Sequence, residues 1–204
     1  MVNLKEHKIV AVIRADNTYE AMSKAEACID GGINVIEITF SFPKCCEVIK
    51  NLKDSCKIIV GAGTVLNIQD ARRALDSGAD FIVSPHTDAG IINFCRENNK
   101  IVISGASTSN EIVSAYKLGA NMVKIFPANI IGGPKYVKAI KEPLPFAQIF
   151  VTGGVNLENC NEYISSGASL IGVASALFSN TVNMDKKKII EINARKFIEK
   201  VKQI

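Results

Sequence analysis

Eight short apolar runs recur along the chain, each separated from the next by an amphipathic stretch, and that alternation leaves few folds open. The runs begin at Ile9, Val35, Ile58, Phe81, Ile101, Met122, Ile149 and Leu170. Strands that alternate with helices pair in parallel, and eight strand–helix units within 204 residues predict a closed (β/α)8 TIM barrel of the α/β class. That length fits one domain, residues 1–204, and leaves no room for a separate cofactor domain beside the barrel.

A longer period lies over the eight units. Gly32, Gly78, Gly119 and Gly167 lead into strands two, four, six and eight, at spacings of 46, 41 and 48 residues. Glycine suits the left-handed turn that ends a helix. The odd strands open instead on Lys8, Lys57, Lys100 and Gln148. The pattern reads as four quarter-barrels. Glycine is also favoured in such loops without common descent, and both readings give the same fold.

Side-chain alternation sets the register. In the second strand Ile36, Ile38 and Phe40 form an apolar set for the helix layer, so Val35, Glu37 and Thr39 face the axis. In the sixth, Val123 and Ile125 face the helices, so Met122, Lys124 and Phe126 point inward. Glu37 and Lys124 each lie five residues past their leading glycine; the equivalent positions are Val83 and Gly172. These four residues are predicted to form one interior layer.

A buried lysine beside a buried glutamate is costly unless paired or functional. An inert internal ion pair is the bland reading. The chemical reading is that an amine taken out of water becomes the better nucleophile, while a carboxyl against apolar walls is raised toward neutrality and shuttles protons. That equipment suits Schiff-base chemistry on a ketone. Metal chemistry fits less well, because the only histidines are His7 and His86, and His86 reads as a polar rim residue. No metal ligand set and no cofactor fingerprint are expected.

Glycines at the ends of strands seven and eight, in Thr152-Gly153-Gly154 and Gly172-Val173-Ala174-Ser175, suit a bound phosphate. A net charge of +4, spread along the chain with 6 % aromatic residues and no Trp, argues against nucleic-acid binding. The one dense basic run, Lys186-Lys187-Lys188, reads as a solvated helix start. The segment from Lys186 to Ile204 reads as the last barrel helix. Polar residues from Met1 to His7 and the absence of long apolar runs predict no signal segment and no membrane span. Six cysteines without a CxxC pair read as reduced core fillers of a cytoplasmic protein.

Five segments together resemble a known family. Ile36-Glu37-Ile38-Thr39, Gly61-Ala62-Gly63-Thr64-Val65, Ser84-Pro85-His86, Lys124-Ile125-Phe126-Pro127 and Thr152-Gly153-Gly154-Val155 follow the pattern of bacterial 2-dehydro-3-deoxy-6-phosphogluconate aldolases, a family that includes 4-hydroxy-2-oxoglutarate aldolases. The resemblance spans roughly residues 6 to 200. It implies a metal-free class I aldolase of the Entner–Doudoroff type, typically a homotrimer, acting on a small 2-oxo acid that carries phosphate. It implies Lys124 as the Schiff-base lysine and Glu37 as the general acid/base. Thr64 and Arg14 match groups near the substrate carboxylate, and Gly153, Gly154 and Ser175 match the phosphate grip. Pro85, Phe126 and Ala174 complete the implied substrate-binding set. Two positions depart from the family pattern: Ser41 stands where some members carry an arginine, and Ala174 where glycine is common. Two rival readings share the scaffold: a phosphate-binding isomerase or epimerase without a covalent step, and a non-catalytic barrel that senses a sugar acid.

Overall fold

In a computed structural model, residues 4–179 and 185–202 are described. A 3-10 turn, Leu4–Glu6, precedes β1 (Ile9–Ile13), α1 (Thr18–Asp30), β2 (Val35–Thr39), α2 (Cys45–Ser55), β3 (Ile59–Gly63) and α3 (Ile68–Asp76). Then follow β4 (Phe81–Val83), α4 (Ala89–Glu97), β5 (Ile101–Gly105), α5 (Ser109–Leu118) and β6 (Met122–Ile125). The chain continues through α6 (Ala128–Ile131), α7 (Gly133–Lys141), β7 (Ile149–Thr152), α8 (Cys160–Ser165), β8 (Leu170–Val173), α9 (Ser175–Phe178) and α10 (Lys186–Val201). The eight strands pair in parallel, in sequence order, and β8 closes on β1.

Local chemistry explains why the elements begin and end here. Asn17, Asn67 and Asp88 accept the backbone N–H three residues on, and so cap α1, α3 and α4. Thr108 and Glu111 form a full capping box on α5. All four leading glycines have φ between 94° and 102°, the left-handed region that penalises a Cβ. Two residues after three of them stands a polar side chain that caps the preceding odd strand. Asp80 accepts Val60 N–H at 2.9 Å, Asn121 accepts Val102 N–H at 2.9 Å, and Ser169 accepts Ile149 N–H at 3.3 Å. The four-fold pattern is therefore built of glycine turns, three of them closed by a polar clasp.

The strand register settles the interior layer. Glu37 aligns with Gly61, and Gly61 with Phe81; two residues on is Val83. Val83 aligns with Ile103 and Ile103 with Met122; two on is Lys124. Lys124 aligns with Phe150 and Phe150 with Leu170; two on is Gly172. Gly172 aligns with Val10, whose register extends to Val35; two on is Glu37 again. The walk closes with a stagger of about eight residues, the shear of this barrel class. Glu37, Val83, Lys124 and Gly172 therefore share a layer, as the sequence predicts.

The barrel below that layer is filled. Val10, Val35, Phe81, Ile103, Met122, Phe150 and Leu170 form a dry cluster, and Leu4 packs into it from the 3-10 turn. Phe81 lies where a Cβ on Gly61 would come within 2.2 Å of its ring, so the missing side chain on β3 makes the slot for the aromatic. Burying a side chain of that size stabilises by about 1.5–3 kcal/mol. The next odd-strand layer up, by the same register, is Val12, Gly63, Gly105 and Thr152. Two of its four members carry no side chain, so the barrel opens there into a cup.

The outer cluster joins the other strand faces, including Ile36, Ile38, Val123 and Ile125, to the helices. At Gly31 a Cβ would come within 2.5 Å of Ala194 Cβ, so the bare glycine lets α10 lie close to the end of α1. The α10 helix begins at Lys186 with exposed lysines, of which Lys187 pairs with Glu26 at 2.9 Å. Residues 203 and 204 of the segment read as the last helix lie outside the described residues. The six cysteines are free thiols. Burial pushes Cys28 and Cys95 up to about 12, which suits inert core fillers. Among the described residues no helix is long and apolar enough to cross a membrane.

Candidate active site

Above the filled half lies a cavity of about 510 Å³ at the C-terminal ends of the strands. That volume suits a small-molecule ligand. Arg14, Glu37, Thr64, Pro85, Lys124, Phe126, Gly153, Gly154, Ala174 and Ser175 all line it. The fold thus brings together every residue singled out in the sequence for binding or catalysis.

Lys124 Nζ lies 3.8 Å from Glu37 Oε1 at the bottom of the cup. Glu37 is wholly buried, Lys124 nearly so. Neither Glu37 oxygen has a hydrogen-bond partner among the described residues. Burial pushes the Glu37 carboxyl above its ordinary value of 4.5, opposed by the charges of Lys124 and Arg14. A Cβ at Gly63 would stand 1.9 Å from Glu37 Oε1. Glycine on β3 is thus what leaves the carboxyl room. The amine also lies over the Phe126 ring, 5.4 Å from its centroid. Phe126 itself is half exposed and precedes a cis bond to Pro127.

Thr64 follows β3 with φ at 57°. A β-branched residue held in the left-handed region costs roughly 1–3 kcal/mol, and such strain collects at functional positions. Relief of that strain sets a testable contrast. Thr64→Gly is expected to leave stability unchanged or raise it by up to about 1 kcal/mol, the relief being offset by the unfolded chain's gain in freedom. Turnover in this cup is expected to fall at least about tenfold, because the threonine lines it. Urea unfolding beside steady-state rates checks both; a large stability loss would mean that contacts of the threonine outweigh its strain.

Arg14 follows β1 directly, its carbonyl held by Lys24 Nζ at 2.8 Å. Ser41, at the position where some family members carry arginine, is exposed and absent from the cavity lining. Its hydroxyl lies 2.8 Å from Thr39 Oγ1, which donates to the Ile13 carbonyl. Among the described residues Arg14 is accordingly the one guanidinium lining this cup. His86 is exposed beside it and shares 3.1 Å with Ser84 Oγ, outside the cup. Among the described residues no group of three or more His, Cys, Asp or Glu is arranged to hold a metal ion.

Gly153 and Gly154, at φ 91° and 73°, carry the chain across the mouth above β7. Ala174 and Ser175 do so above β8. The remaining lining residues are Val12, Thr39, Thr152, Val155, Gly172 and Phe178. The sequence reading already turned Thr39 and Gly172 inward, and the same alternation on β1 and β7 could have found Val12 and Thr152. Phe178 carries no such signal. It comes from α9 and meets Lys24 Nζ, 5.0 Å from its ring centroid.

Three comparisons bear on this site. The family model described as KDPG and KHG aldolase matches residues 2–194. The chain is 35 % identical over 163 residues to a 2-dehydro-3-deoxy-phosphogluconate aldolase of Haemophilus influenzae, covering 79 % of this chain and 77 % of that one. It is 32 % identical over 173 residues to a 2-dehydro-3-deoxy-6-phosphogalactonate aldolase of Escherichia coli, covering 83 % and 84 %. A crystal structure of KDPG aldolase from Legionella pneumophila, with pyruvate captured as a covalent carbinolamine, superposes with a TM-score of 0.82 at 26 % identity, covering 92 % of each chain.

Proposed function

We infer the activity from one premise: the chain belongs to the KDPG and KHG aldolase family. It is a class I aldolase that reversibly cleaves a 4-hydroxy-2-oxo acid to pyruvate and an aldehyde. The substrate is 2-dehydro-3-deoxy-6-phosphogluconate, 4-hydroxy-2-oxoglutarate, or both. The observation that carries this reading is the Lys124 amine 3.8 Å from a buried carboxyl at the floor of a ligand-sized cup.

The chemistry follows from that pair. The unprotonated Lys124 amine attacks C2 of the oxo acid and forms a carbinolamine, the species captured in the Legionella relative. Glu37, held toward its protonated form by burial, gives a proton to the carbinolamine hydroxyl, which leaves as water. The iminium then draws the C3–C4 electron pair, and an enamine forms as that bond breaks. The proton of the C4 hydroxyl passes to Glu37 carboxylate, and the aldehyde departs. Reprotonation at C3 and hydrolysis release pyruvate and restore the amine. Arg14 and Thr64 orient the substrate carboxylate. Gly153, Gly154 and Ser175 take the distal phosphate, while Pro85, Phe126 and Ala174 shape the walls. The protein acts in the cytoplasm as a homotrimer; exposed Leu66, Phe126 and Ile130 on the mouth side offer apolar surface for such an assembly.

Borohydride reduction in the presence of pyruvate, followed by peptide mass spectrometry, tests the assignment. The expected product is a stable reduced adduct on Lys124. A folded protein that yields none would instead favour an isomerase or epimerase that uses the same barrel without a covalent step.

A further inference from the structure

The loop after β7 is held from behind by two asparagines. Asn129 N–H donates to the Gly153 carbonyl at 3.3 Å, and Asn159 Nδ2 donates to the Gly154 carbonyl at 2.9 Å. Asn159 is itself fixed. Its Oδ1 accepts Asn156 N–H at 2.9 Å, and its own N–H donates to Asn156 Oδ1 at 3.0 Å. Both peptides of the Gly153–Val155 segment are trans. In a trans peptide the carbonyl and the following N–H point in opposite directions. A clasp on the Gly154 carbonyl therefore sets the direction of the Val155 N–H, away from Asn159. Val155 lines the cavity, yet its side chain belongs to the outer apolar cluster, so what it offers the cup is backbone. Among the described residues the N–H groups of Gly154 and Val155 donate to no protein acceptor.

We propose that Asn159 is a positioning residue for the distal anion of the substrate, and that by clasping the Gly154 carbonyl it aims the Val155 N–H as a donor beside that of Gly154. The proposal rests on the aldolase reading above, and it adds a donor and its support to the implied glycine–serine grip. Two successive left-handed glycines leave this segment with wide freedom, so donors on it are aligned only if something outside the segment fixes the carbonyls. Preformed donors spare the ligand the cost of ordering them.

Two variants test it. Asn159→Asp keeps the acceptor for Asn156 and loses the donor; Asn159→Ala loses both without adding charge. For each, kcat/KM is measured on 2-dehydro-3-deoxy-6-phosphogluconate and on its unphosphorylated counterpart. The expected result is a rise in KM for the phosphorylated substrate, with a loss of kcat/KM about tenfold larger than on the unphosphorylated one. Inorganic phosphate should raise the wild-type Tm by mass action, and both variants should lose most of that rise. Equal losses on the two substrates, or a phosphate response like that of wild type, would overturn the proposal. Pyruvate trapping on wild-type Lys124 separates the two levels. No adduct there defeats the aldolase reading, while the phosphate response still decides the anion grip.

Discussion

Lys124→Met is expected to lower kcat by about 10⁴-fold or more while the barrel stays folded, because a covalent nucleophile has no substitute in the cup. Methionine reaches as far as Cε, with sulfur in place of the δ-methylene, and lacks the amine. Removing one partner of a buried ion pair ordinarily costs about 3–5 kcal/mol. The cost here should be smaller, since burial already pushes the Glu37 carboxyl toward its neutral form, and losing the Lys124 charge removes an influence that opposes this. Single-turnover kinetics and urea unfolding on one preparation measure both quantities. Activity within about tenfold of wild type would remove Lys124 from the chemistry. Its inward position on β6 would then read as an internal ion pair and nothing more.

Glu37→Gln carries the second large effect. Gln fills the same space beside Gly63 but neither donates nor accepts a transferred proton, so kcat should drop by about 10²–10⁴-fold. A separate signature lies in stability. The folded-state value of Glu37 is raised, so between the unfolded value near 4.5 and the folded one the native protein holds a proton that the unfolded chain releases. Its contribution is fully present below 4.5 and is lost as pH rises through the folded value. Within that window wild-type stability should fall with pH relative to Glu37→Gln, by at most about 1.4 kcal/mol per pH unit. Parallel pH–stability curves for the two proteins would mean that the carboxyl is not held up by burial at all.

The interior layer was legible because a barrel of this shear advances two residues per pair of strands, so counting five from each leading glycine lands on the same level four times. Alternation then needed only to decide which face was apolar, and Ile36 and Ile38 decided it for Glu37. The cup was harder to read, since its walls come from what is absent: Gly63 and Gly105 look like any strand glycines until a neighbour is seen against them. The motif named Thr64, yet nothing signalled its left-handed backbone, because a β-branched residue is the last one expected at positive φ. Asn159 was hidden for a different reason: its clasp is a side chain meeting a backbone carbonyl five residues earlier, inside an irregular loop. Nor did periodicity separate α6 from α7, which break at Gly132 and Gly133, or mark α9, four residues long, between β8 and α10.

The dry cluster of Phe81, Met122, Phe150 and Leu170, stoppered by Leu4, makes the barrel a well and not a tunnel. Traffic through a well is last in, first out. The oxo acid must descend first to reach the amine, and whatever lies above it has to leave before it does. The water that hydrolyses the final imine must come down the same shaft, after the aldehyde has cleared it. Order of release in this enzyme is thus a matter of plumbing, and a plug of side chains that touch no substrate dictates it.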